Sequence, residues 1–476
     1  MKLIYGVKDK PKFGQLIVFA IQQLLAIMAA TLVVPLIVGN GMSPAAALFG
    51  AGVGTLVYLL FTKFRSPVFL GSSFAFLGSM AAAFAGGVSM SLGYLGLIIG
   101  AVIAGLVYVV IAIIVKFVGV AWINKLMPAV VIGPTVAIIG LSLAGNAIGD
   151  LMNGEVTKPV INFVLNLEGS IPSIDAVPGT QILTSPYVAL ICGLVTLIVT
   201  AICATYGKKM VRLIPFVIGI LAGYAVAAIF TLIGGAVNND ALKVINFAYI
   251  TDLFKDGVTL KTFFTVPDFT FLTAAKGISE FNGTYLATIA VAYAPVAFVV
   301  FAEHIADHKN ISSIIESDLL EDPGLHRTLL GDGVGSMAGA FFGGCPNTTY
   351  GESVGCVAIT GNASVVTIFA AAIGAIAISF LSPFVAFVDS IPPCVMGGVC
   401  MALYGFIAVS GLKMVQKVDL NVNKNLFVVS VILVCGIGGL ALTFNVGEFA
   451  INITSIACAL ILGILTNIML SKKTEE

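Results

Sequence analysis

Charge is scarce in this sequence, because Asp, Glu, Lys and Arg together make up only 10% of its 476 residues. A soluble domain carries about 25% charged residues. Hydrophobic residues reach 59%, so the composition excludes a soluble globular protein and indicates a polytopic membrane protein. The formal net charge is zero, so no attraction to nucleic acid follows from the global charge. We therefore expect a lipid bilayer around the chain and no nucleic acid as a partner.

Residues suited to metal or hydrolytic chemistry are also scarce. The eight cysteines all fall in apolar segments without metal-ligand spacing, and each is most simply a small hydrophobic residue. The three histidines, His304, His308 and His326, are expected to be surface or capping residues. The sequence contains neither an Asp-rich metal motif nor a convincing grouping of Ser, His and Asp. It therefore predicts no enzyme, no metal site and no cofactor.

Long apolar runs are abundant. With about 20 residues needed to span a hydrocarbon core, about fourteen segments qualify. They lie at about 14–38, 44–62, 67–85, 91–118, 127–149, 186–206, 212–235, 283–306, 325–343, 346–360, 364–382, 391–412, 424–443 and 449–470. Two long loops, about 150–185 and 236–282, are expected on the outer side.

The distribution of basic residues predicts the orientation. All but five of the 23 Lys and Arg residues fall on the side of this topology that carries the N-terminus. The five exceptions, Lys158, Lys243, Lys255, Lys261 and Lys276, lie in the two long loops, where charge matters least for topology. The sequence predicts a multi-pass protein of the cell (inner) membrane with both termini in the cytoplasm.

Two of the predicted spans, the third and the tenth, are interrupted by polar residues. In the tenth, Asn347, Thr348, Thr349, Tyr350, Gly351 and Glu352 follow Pro346. In the third, the run from Gly71 to Phe76 has the same order of two hydroxyls, an aromatic and a small residue. Paired breaks at matching positions of two halves indicate a binding site between inverted repeats. The alternative interpretation is that both Ser/Thr pairs only bond to helix carbonyls.

A second match supports the repeat. The segment Pro128 to Gly133 resembles Pro392 to Gly397, which places span five on span twelve, just as the broken segments place span three on span ten. Because the offset of seven spans is odd, the second repeat is inverted in the membrane.

One further cluster of charged residues lies at the end of span eight. Glu303 and Asp307 are spaced i, i+4 and share a helix face. An ionisable residue within a span is costly and is by default a functional hypothesis. For Asp307, a solvated position at the helix end is the alternative.

These motifs resemble the nucleobase–ascorbate transporter family, and within it the bacterial uracil permeases. The resemblance covers essentially the whole chain, through Gly71 to Phe76, Ala302 to Asp307 and Asn347 to Ser353. It implies an all-α membrane protein with fourteen spans in two inverted repeats and short strands in spans three and ten. It also implies a core domain (1–126 and 283–386) and a gate domain (127–282 and 387–476).

The resemblance also implies a binding site. Glu303 and Glu352 would contact a nucleobase by side chain, Phe74 and Gly351 by main-chain groups, and Tyr350 would wall the pocket. Proton coupling is expected at Glu303, Asp307 and Glu352. Some family members carry His where this chain has Asp307, so a histidine-based proton step does not transfer. Ser353 stands where Asn is common in the uracil branch.

The expected function is import of uracil by proton symport through alternating access of the core against the gate. A protonated carboxyl both donates and accepts a hydrogen bond whereas a carboxylate only accepts, so protonation can be tied to binding a ring with both kinds of group. Alternatives are a purine (xanthine or urate) permease of the same family and, in a different class, an anion transporter of similar architecture. The sequence leaves open whether the protein forms a homodimer.

Overall fold

A computed structural model describes residues 3–119, 122, 127–166, 173–208, 210–446 and 449–471. Helices of seven or more residues are α1 (Phe13–Val38), α2 (Pro44–Phe61), α3 (Leu77–Ala83), α4 (Met90–Val118), α5 (Ala129–Ser142), α6 (Ala144–Leu151), α7 (Pro186–Tyr206), α8 (Pro215–Ala236), α9 (Gly283–Ile315), α10 (Leu325–Gly343), α11 (Gly351–Thr360), α12 (Val365–Ile378), α13 (Ser382–Asp389), α14 (Pro393–Val415), α15 (Asn423–Ile437) and α16 (Ser455–Ser471). The strands are β1 (Leu70–Ser72), β2 (Thr157–Asn166), β3 (Ser173–Ile182), β4 (Asn347–Thr349), β5 (Leu442–Val446) and β6 (Phe449–Ile453).

The fold is mostly helical and of the multi-pass membrane type. Within the described ranges, eight helical segments are long and apolar enough to cross a membrane. They are α1, α2, α4, α5 continued by α6, α7, α8, α9 and α14. Four shorter apolar segments accompany them, at Phe74–Ala83, α12, α15 and α16. The predicted ninth span coincides with α10, a helix of 19 residues, but the total of fourteen spans stays a prediction.

The prediction of an all-α protein with short strands in spans three and ten did not include four of the strands, which form two further antiparallel pairs. The strands β1 and β4 are the short strands that the resemblance implied in spans three and ten, and in the structure they pair with each other. The pair of β2 and β3 forms in the long loop after α6. The pair of β5 and β6 overlaps the end of the predicted thirteenth span, at Leu442 and Thr443, and the start of the predicted fourteenth, at Phe449–Ile453. That segment is rich in β-branched and aromatic residues, which favour strands, whereas average hydropathy does not distinguish a short apolar strand from a helix.

The chain divides into two compact units. The larger comprises Met1–Leu143, Leu260–Val385 and Leu403–Glu476, and the smaller comprises Ala144–Thr259 and Ala386–Ala402. The division into core and gate domains is a separate hypothesis and stays a prediction.

In the larger unit, α2 and α10 pack so closely that their backbones touch. A methyl group at Gly54 would lie 2.7 Å from the carbonyl oxygen of Gly335, and the same close approach recurs one turn along, between Gly50 and Gly339. Small residues at helix interfaces are how membrane helices gain dispersion contacts without a hydrophobic driving force. This tight pair forms the support on which the broken segments rest.

In the smaller unit, a polar side chain ties loop to helix. Thr231 on α8 accepts hydrogen bonds of 3.0 Å from the N–H groups of both Val244 and Ile245. The N–H of Glu155 in turn donates to the carbonyl of Val244 at 3.0 Å. Glu155 is thereby held beside Tyr249, with which its carboxylate forms a hydrogen bond.

Candidate functional site

The two broken segments meet as a short antiparallel strand pair inside the larger unit. Leu70 lies opposite Thr349, Gly71 opposite Thr348, and Ser72 opposite Asn347, and all these residues are buried. The Tyr350 hydroxyl crosses the pair and donates to the carbonyl of Ser72 at 2.7 Å. The pairing satisfies backbone groups that lipid would leave unpaired. Each interrupted span can therefore lie in the membrane because its strand bonds to the strand of the other.

Side chains from neighbouring helices complete the hydrogen bonds of the first strand. Thr55 on α2 accepts from the N–H of Leu70 at 3.0 Å, and Ser353 on α11 accepts from the N–H of Phe69 at 3.0 Å. The amide of Gln23 on α1 also donates to Ser353. Ser353 is therefore a buried support of the strand pair.

The second strand is held by an amide. The N–H of Asn347 donates to Ser336 on α10 at 2.9 Å, and its side chain donates to the carbonyl of Gly50 on α2 at 3.2 Å. Since Asn347 is only 2% exposed, it fills the space left by the glycines between α2 and α10. It is a structural residue of the break.

Each strand leads into the first turn of a helix. Phe74 opens a 3₁₀ turn, Phe74–Phe76, that continues into α3, and Gly351 opens α11. The N–H groups of a first turn have no acceptor within the helix, and the helix dipole makes this end partly positive. The backbone therefore offers hydrogen-bond donors at two places.

Both helix starts border one cavity of about 50 Å³. Its lining residues are Phe74, Ala75, Val136, Ile139, Glu303, Thr348, Tyr350, Gly351, Glu352 and Ile407. The side chains from α5 and α14 are apolar, and the polar ones come from α9, β4 and α11. All five residues predicted to contact a nucleobase line this cavity.

The polar side chains of the cavity have hydrogen-bonding capacity to spare. Neither Glu303 nor Glu352 forms an ion pair, or a hydrogen bond to another side chain, in the described part of the chain. The hydroxyl of Thr348 is buried and likewise has no partner among the described residues. Thr348 was not among the predicted site residues, although it is one of the hydroxyls of the broken segment. The arrangement can bind a small ring that carries both donors and acceptors.

Asp307 lies behind this cavity and is not among its lining residues. The hydroxyl of Thr349 donates to its Oδ2 at 2.9 Å, and its Oδ1 lies 3.8 Å from the position a Cβ would take at Gly351. Asp307 is only 8% exposed. The alternative of a solvated aspartate at the helix end is therefore wrong.

The expectation of surface histidines is wrong for His304 and His308. Both are 0% exposed, because α9 presents this side to α10 and α2 and not to a surface. His326 at the start of α10 is partly exposed. His304 contacts Asp332, a fully buried acid of α10. The i, i+4 spacing of the two histidines, parallel to that of Glu303 and Asp307, was the sequence signal for a second buried row.

No group of three or more His, Cys, Asp or Glu residues suited to a metal ion occurs in the part of the chain that the structure describes. The eight cysteines are all free thiols in the structure.

Comparison with known proteins identifies close relatives. A sequence profile described as a permease family matches residues 14–444. The uracil permease of Bacillus caldolyticus is 37% identical to this chain over 478 residues, covering 100% of this chain and 96% of the relative. The uracil permease of Bacillus subtilis (strain 168) is 36% identical, covering 100% and 97%. That of Escherichia coli (strain K12) is 33% identical, covering 96% and 92%.

Solved structures show a similar fold at low identity. The transmembrane domain of the cyanobacterial bicarbonate transporter BicA matches with a TM-score of 0.61 at 13% identity, covering 97% of this chain and 100% of that one. The murine anion transporter Slc26a9 in its inward-facing state matches with a TM-score of 0.61 at 11% identity, covering 98% and 69%. At such identities the likeness concerns the fold alone. By its sequence match over nearly its whole length, the chain belongs to the nucleobase–ascorbate transporter family of permeases, and it is a transporter and not an enzyme.

Proposed function

We propose that this permease imports uracil by proton symport. The observation that carries the proposal is the convergence of two carboxyls, Glu303 and Glu352, with two helix starts on one cavity. Neither carboxyl has a side-chain hydrogen-bond partner among the described residues. The names of the full-length relatives support uracil as the substrate.

The chemistry of the cavity matches a pyrimidine edge. Uracil is a flat, neutral ring with alternating N–H donors and carbonyl acceptors. The carboxyls of Glu303 and Glu352 would accept from the ring N–H groups, and the backbone N–H groups of Phe74 and Gly351 would donate to the ring carbonyls. Tyr350, fixed by its hydrogen bond to the backbone of Ser72, would act as a rigid wall.

The charge of the cavity favours a neutral ring over an anion. None of its lining residues is Lys or Arg, and two of them are acids. An anion placed beside two carboxyls would be repelled unless both were protonated. This argues against the anion-transporter alternative despite the similar fold.

Proton coupling would use the same carboxyls. A protonated Glu303 or Glu352 can donate a hydrogen bond as well as accept one. Protonation of these carboxyls would therefore strengthen uracil binding, and bound uracil would favour their protonation. Asp307, one turn along α9 from Glu303, would take this proton and release it on the cytoplasmic side. Two carboxylates that lie close together repel each other, and this repulsion favours protonation of one of them.

Transport would proceed by alternating access in a fold of fourteen spans arranged as two inverted seven-span repeats. In this proposal the core domain (1–126 and 283–386) moves against the gate domain (127–282 and 387–476). In this division Val136, Ile139 and Ile407 of the cavity lining would belong to the gate and the other lining residues to the core. The protein would reside in the cell (inner) membrane with both termini in the cytoplasm.

Uptake into membrane vesicles that contain the protein tests the substrate. Labelled uracil, xanthine and bicarbonate are offered separately, with vesicles from cells lacking the protein as the control. Uptake of uracil that unlabelled uracil abolishes and xanthine does not would support the proposal. Uptake of xanthine or bicarbonate in preference to uracil would contradict it.

A further inference from the structure

The two buried histidines of α9 form a row beside the row of acids. His304 follows Glu303 and His308 follows Asp307, and one residue along a helix turns the side chain by about 100°. The acids are therefore directed to the cavity and to β4, and the histidines to α10 and α2. The two imidazole rings stack with their centroids 4.0 Å apart.

His304 is held between two side chains of α10. Its Nδ1 lies 2.7 Å from Oδ2 of Asp332, and its Nε2 lies 3.0 Å from the hydroxyl of Thr328. That hydroxyl donates its single proton to the carbonyl of Leu325 at 3.1 Å, so toward His304 it accepts. Nε2 of His304 therefore carries a hydrogen.

The contact with Asp332 then needs a further proton. With Nε2 already protonated, Nδ1 and a carboxylate oxygen would face each other as two acceptors at 2.7 Å unless one proton lies between them. With that proton the pair of His304 and Asp332 is neutral overall, whichever atom carries it. Without it the pair would be an anion with both side chains 0% exposed, which is costly to bury.

No other group in the described structure neutralises Asp332. Its Oδ1 has no hydrogen-bond partner there, and its ion pair is with His304. The titratable groups around the pair include His308 on the same helix, Tyr108 on α4, whose ring centroid lies 6.5 Å from that of His304, and Tyr58 on α2. The carboxyls of Glu303 and Asp307 lie on the neighbouring face of α9 and interact with Asp332 through their charges. Neither His304 nor Asp332 borders the cavity.

His308 makes a second attachment, to α2. Its Nδ1 donates to the carbonyl of His304 at 2.8 Å, and its Nε2 lies 2.7 Å from the hydroxyl of Tyr58. Tyr58 is bonded in turn to Ser66 at 2.6 Å. The helix that carries Glu303 and Asp307 is therefore fastened on its far side to two neighbouring helices.

We propose that the His304–Asp332 pair is a positioning device that retains one proton throughout transport and fixes the rotation of α9, so that Glu303 and Asp307 face the substrate side. The proposal rests on the proposed function for what Glu303 and Asp307 do. The retained proton is separate from the proton that is transported.

Nitrogen NMR tests the retained proton without any substrate. The chain has three histidines, so protein labelled with ¹⁵N-histidine gives few ring signals, and a His304→Gln variant assigns those of His304. The expected result is that the His304 signals stay unchanged from pH 6 to pH 9 and on addition of uracil. Signals that titrate in this range, or that shift when uracil is added, would overturn the proposal.

Two substitutions of Asp332 test positioning. In Asp332→Asn the amide donates to Nδ1 of a neutral His304, so the contact persists without the shared proton. Uracil affinity and gradient-driven uptake should then stay within about twofold of the parent. In Asp332→Leu the contact is lost and uracil binding should weaken by about tenfold or more, since small misplacements of a binding group are costly. Asp256→Leu, at an exposed loop position, is the control.

The outcomes distinguish failure of the positioning proposal from failure of the proposed function. Loss of gradient-driven uptake in Asp332→Asn with uracil exchange intact would place the pair in the proton path and overturn the proposal. A folded Asp332→Leu protein that binds uracil like the parent would also overturn it. If Asp332→Leu does not fold, the NMR result and Asp332→Asn decide. If the parent does not bind uracil, the proposed function fails while the NMR result still decides the retained proton.

Discussion

The hydroxyl of Thr349 donates a hydrogen bond of 2.9 Å to the carboxyl of Asp307. This bond joins the end of the β4 strand to the helix that carries Glu303. It places a buried acid directly behind the cavity, where a change in its charge would be felt by the binding site.

Asp307→Asn is expected to separate binding from energy coupling. The amide oxygen can still accept from Thr349, so the local structure should persist, but the side chain can no longer carry a proton. We expect uracil-for-uracil exchange near the parent's rate and at least a tenfold loss of accumulation under an inward proton gradient. Both are measured in the same proteoliposomes. A variant that concentrates uracil with the parent's pH dependence would remove Asp307 from the proton path.

Glu303→Gln and Glu352→Gln should each weaken uracil binding. Gln presents a fixed amide donor where the ring needs an acceptor or a group that can gain and lose a proton. A buried donor or acceptor left unsatisfied costs about 1–3 kcal/mol, which corresponds to roughly 5- to 150-fold in the dissociation constant. Equilibrium binding to the purified protein measures the effect. Glu321→Gln, at an exposed position beyond α9, is the control and should bind like the parent. Parent-like affinity in either pocket variant would show that its carboxyl does not contact the ring.

Gly351→Val should block the cavity without disturbing the fold. A Cβ at Gly351 would meet no atom closer than Oδ1 of Asp307 at 3.8 Å, so the fold has space for a side chain there. Because Gly351 lines the cavity, that side chain would occupy space that the ligand needs. Gly355→Val, one turn later on α11 with no atom within 4 Å of its Cβ, is the matched control. We expect the first variant to lose uracil binding by tenfold or more and the second to keep it. Equal binding by both would mean that the backbone at Gly351 is not part of the site.

Glu155, in the loop after α6, should make stability depend on pH. Burial raises the pKa of its carboxyl from 4.5 to about 7, with a smaller contribution from the charge of Asp389, while the hydrogen bond with Tyr249 opposes the rise. Between these two pH values the unfolded chain has lost this proton and the folded protein keeps it. Stability therefore falls as the pH rises from about 4.5 to 7, by at most about 1.4 kcal/mol per pH unit from this group.

Glu155→Gln should flatten that part of the profile and raise stability above pH 7. The melting temperature of the purified protein at pH 5, 6, 7 and 8 measures this effect, with Glu280→Gln at an exposed position as the control. An unchanged profile in Glu155→Gln would contradict the assignment.

The sequence predicted those site residues that carry a charge within an otherwise apolar segment. Glu303, Asp307 and Glu352 were detected because carboxyls are rare and costly in apolar segments, and all three lie at or directly behind one cavity. Composition was likewise enough for the membrane class, since hydropathy depends on residue type and not on tertiary contacts.

What the sequence did not predict depends on tertiary packing. The partners of His304 and His308, namely Asp332 and Tyr58, lie on other helices, and no local periodicity identifies which buried polar groups meet. The start of β5 and all of β6 were included in predicted spans because a window of hydropathy averages over an alternating pattern. Ser353 was noted only as a departure from the family, and its role in holding Phe69 became visible from the strand pair.

Accumulation of uracil by proteoliposomes that contain only the purified parent protein tests the central claim most directly. An inward proton gradient is imposed, internal uracil is followed over time, and the gradient is then collapsed with a protonophore. Proton symport predicts that internal uracil rises above the external concentration and falls back when the gradient is lost. Uptake that reaches only the external concentration, with or without the gradient, would contradict proton symport, and no uptake at all would contradict uracil transport.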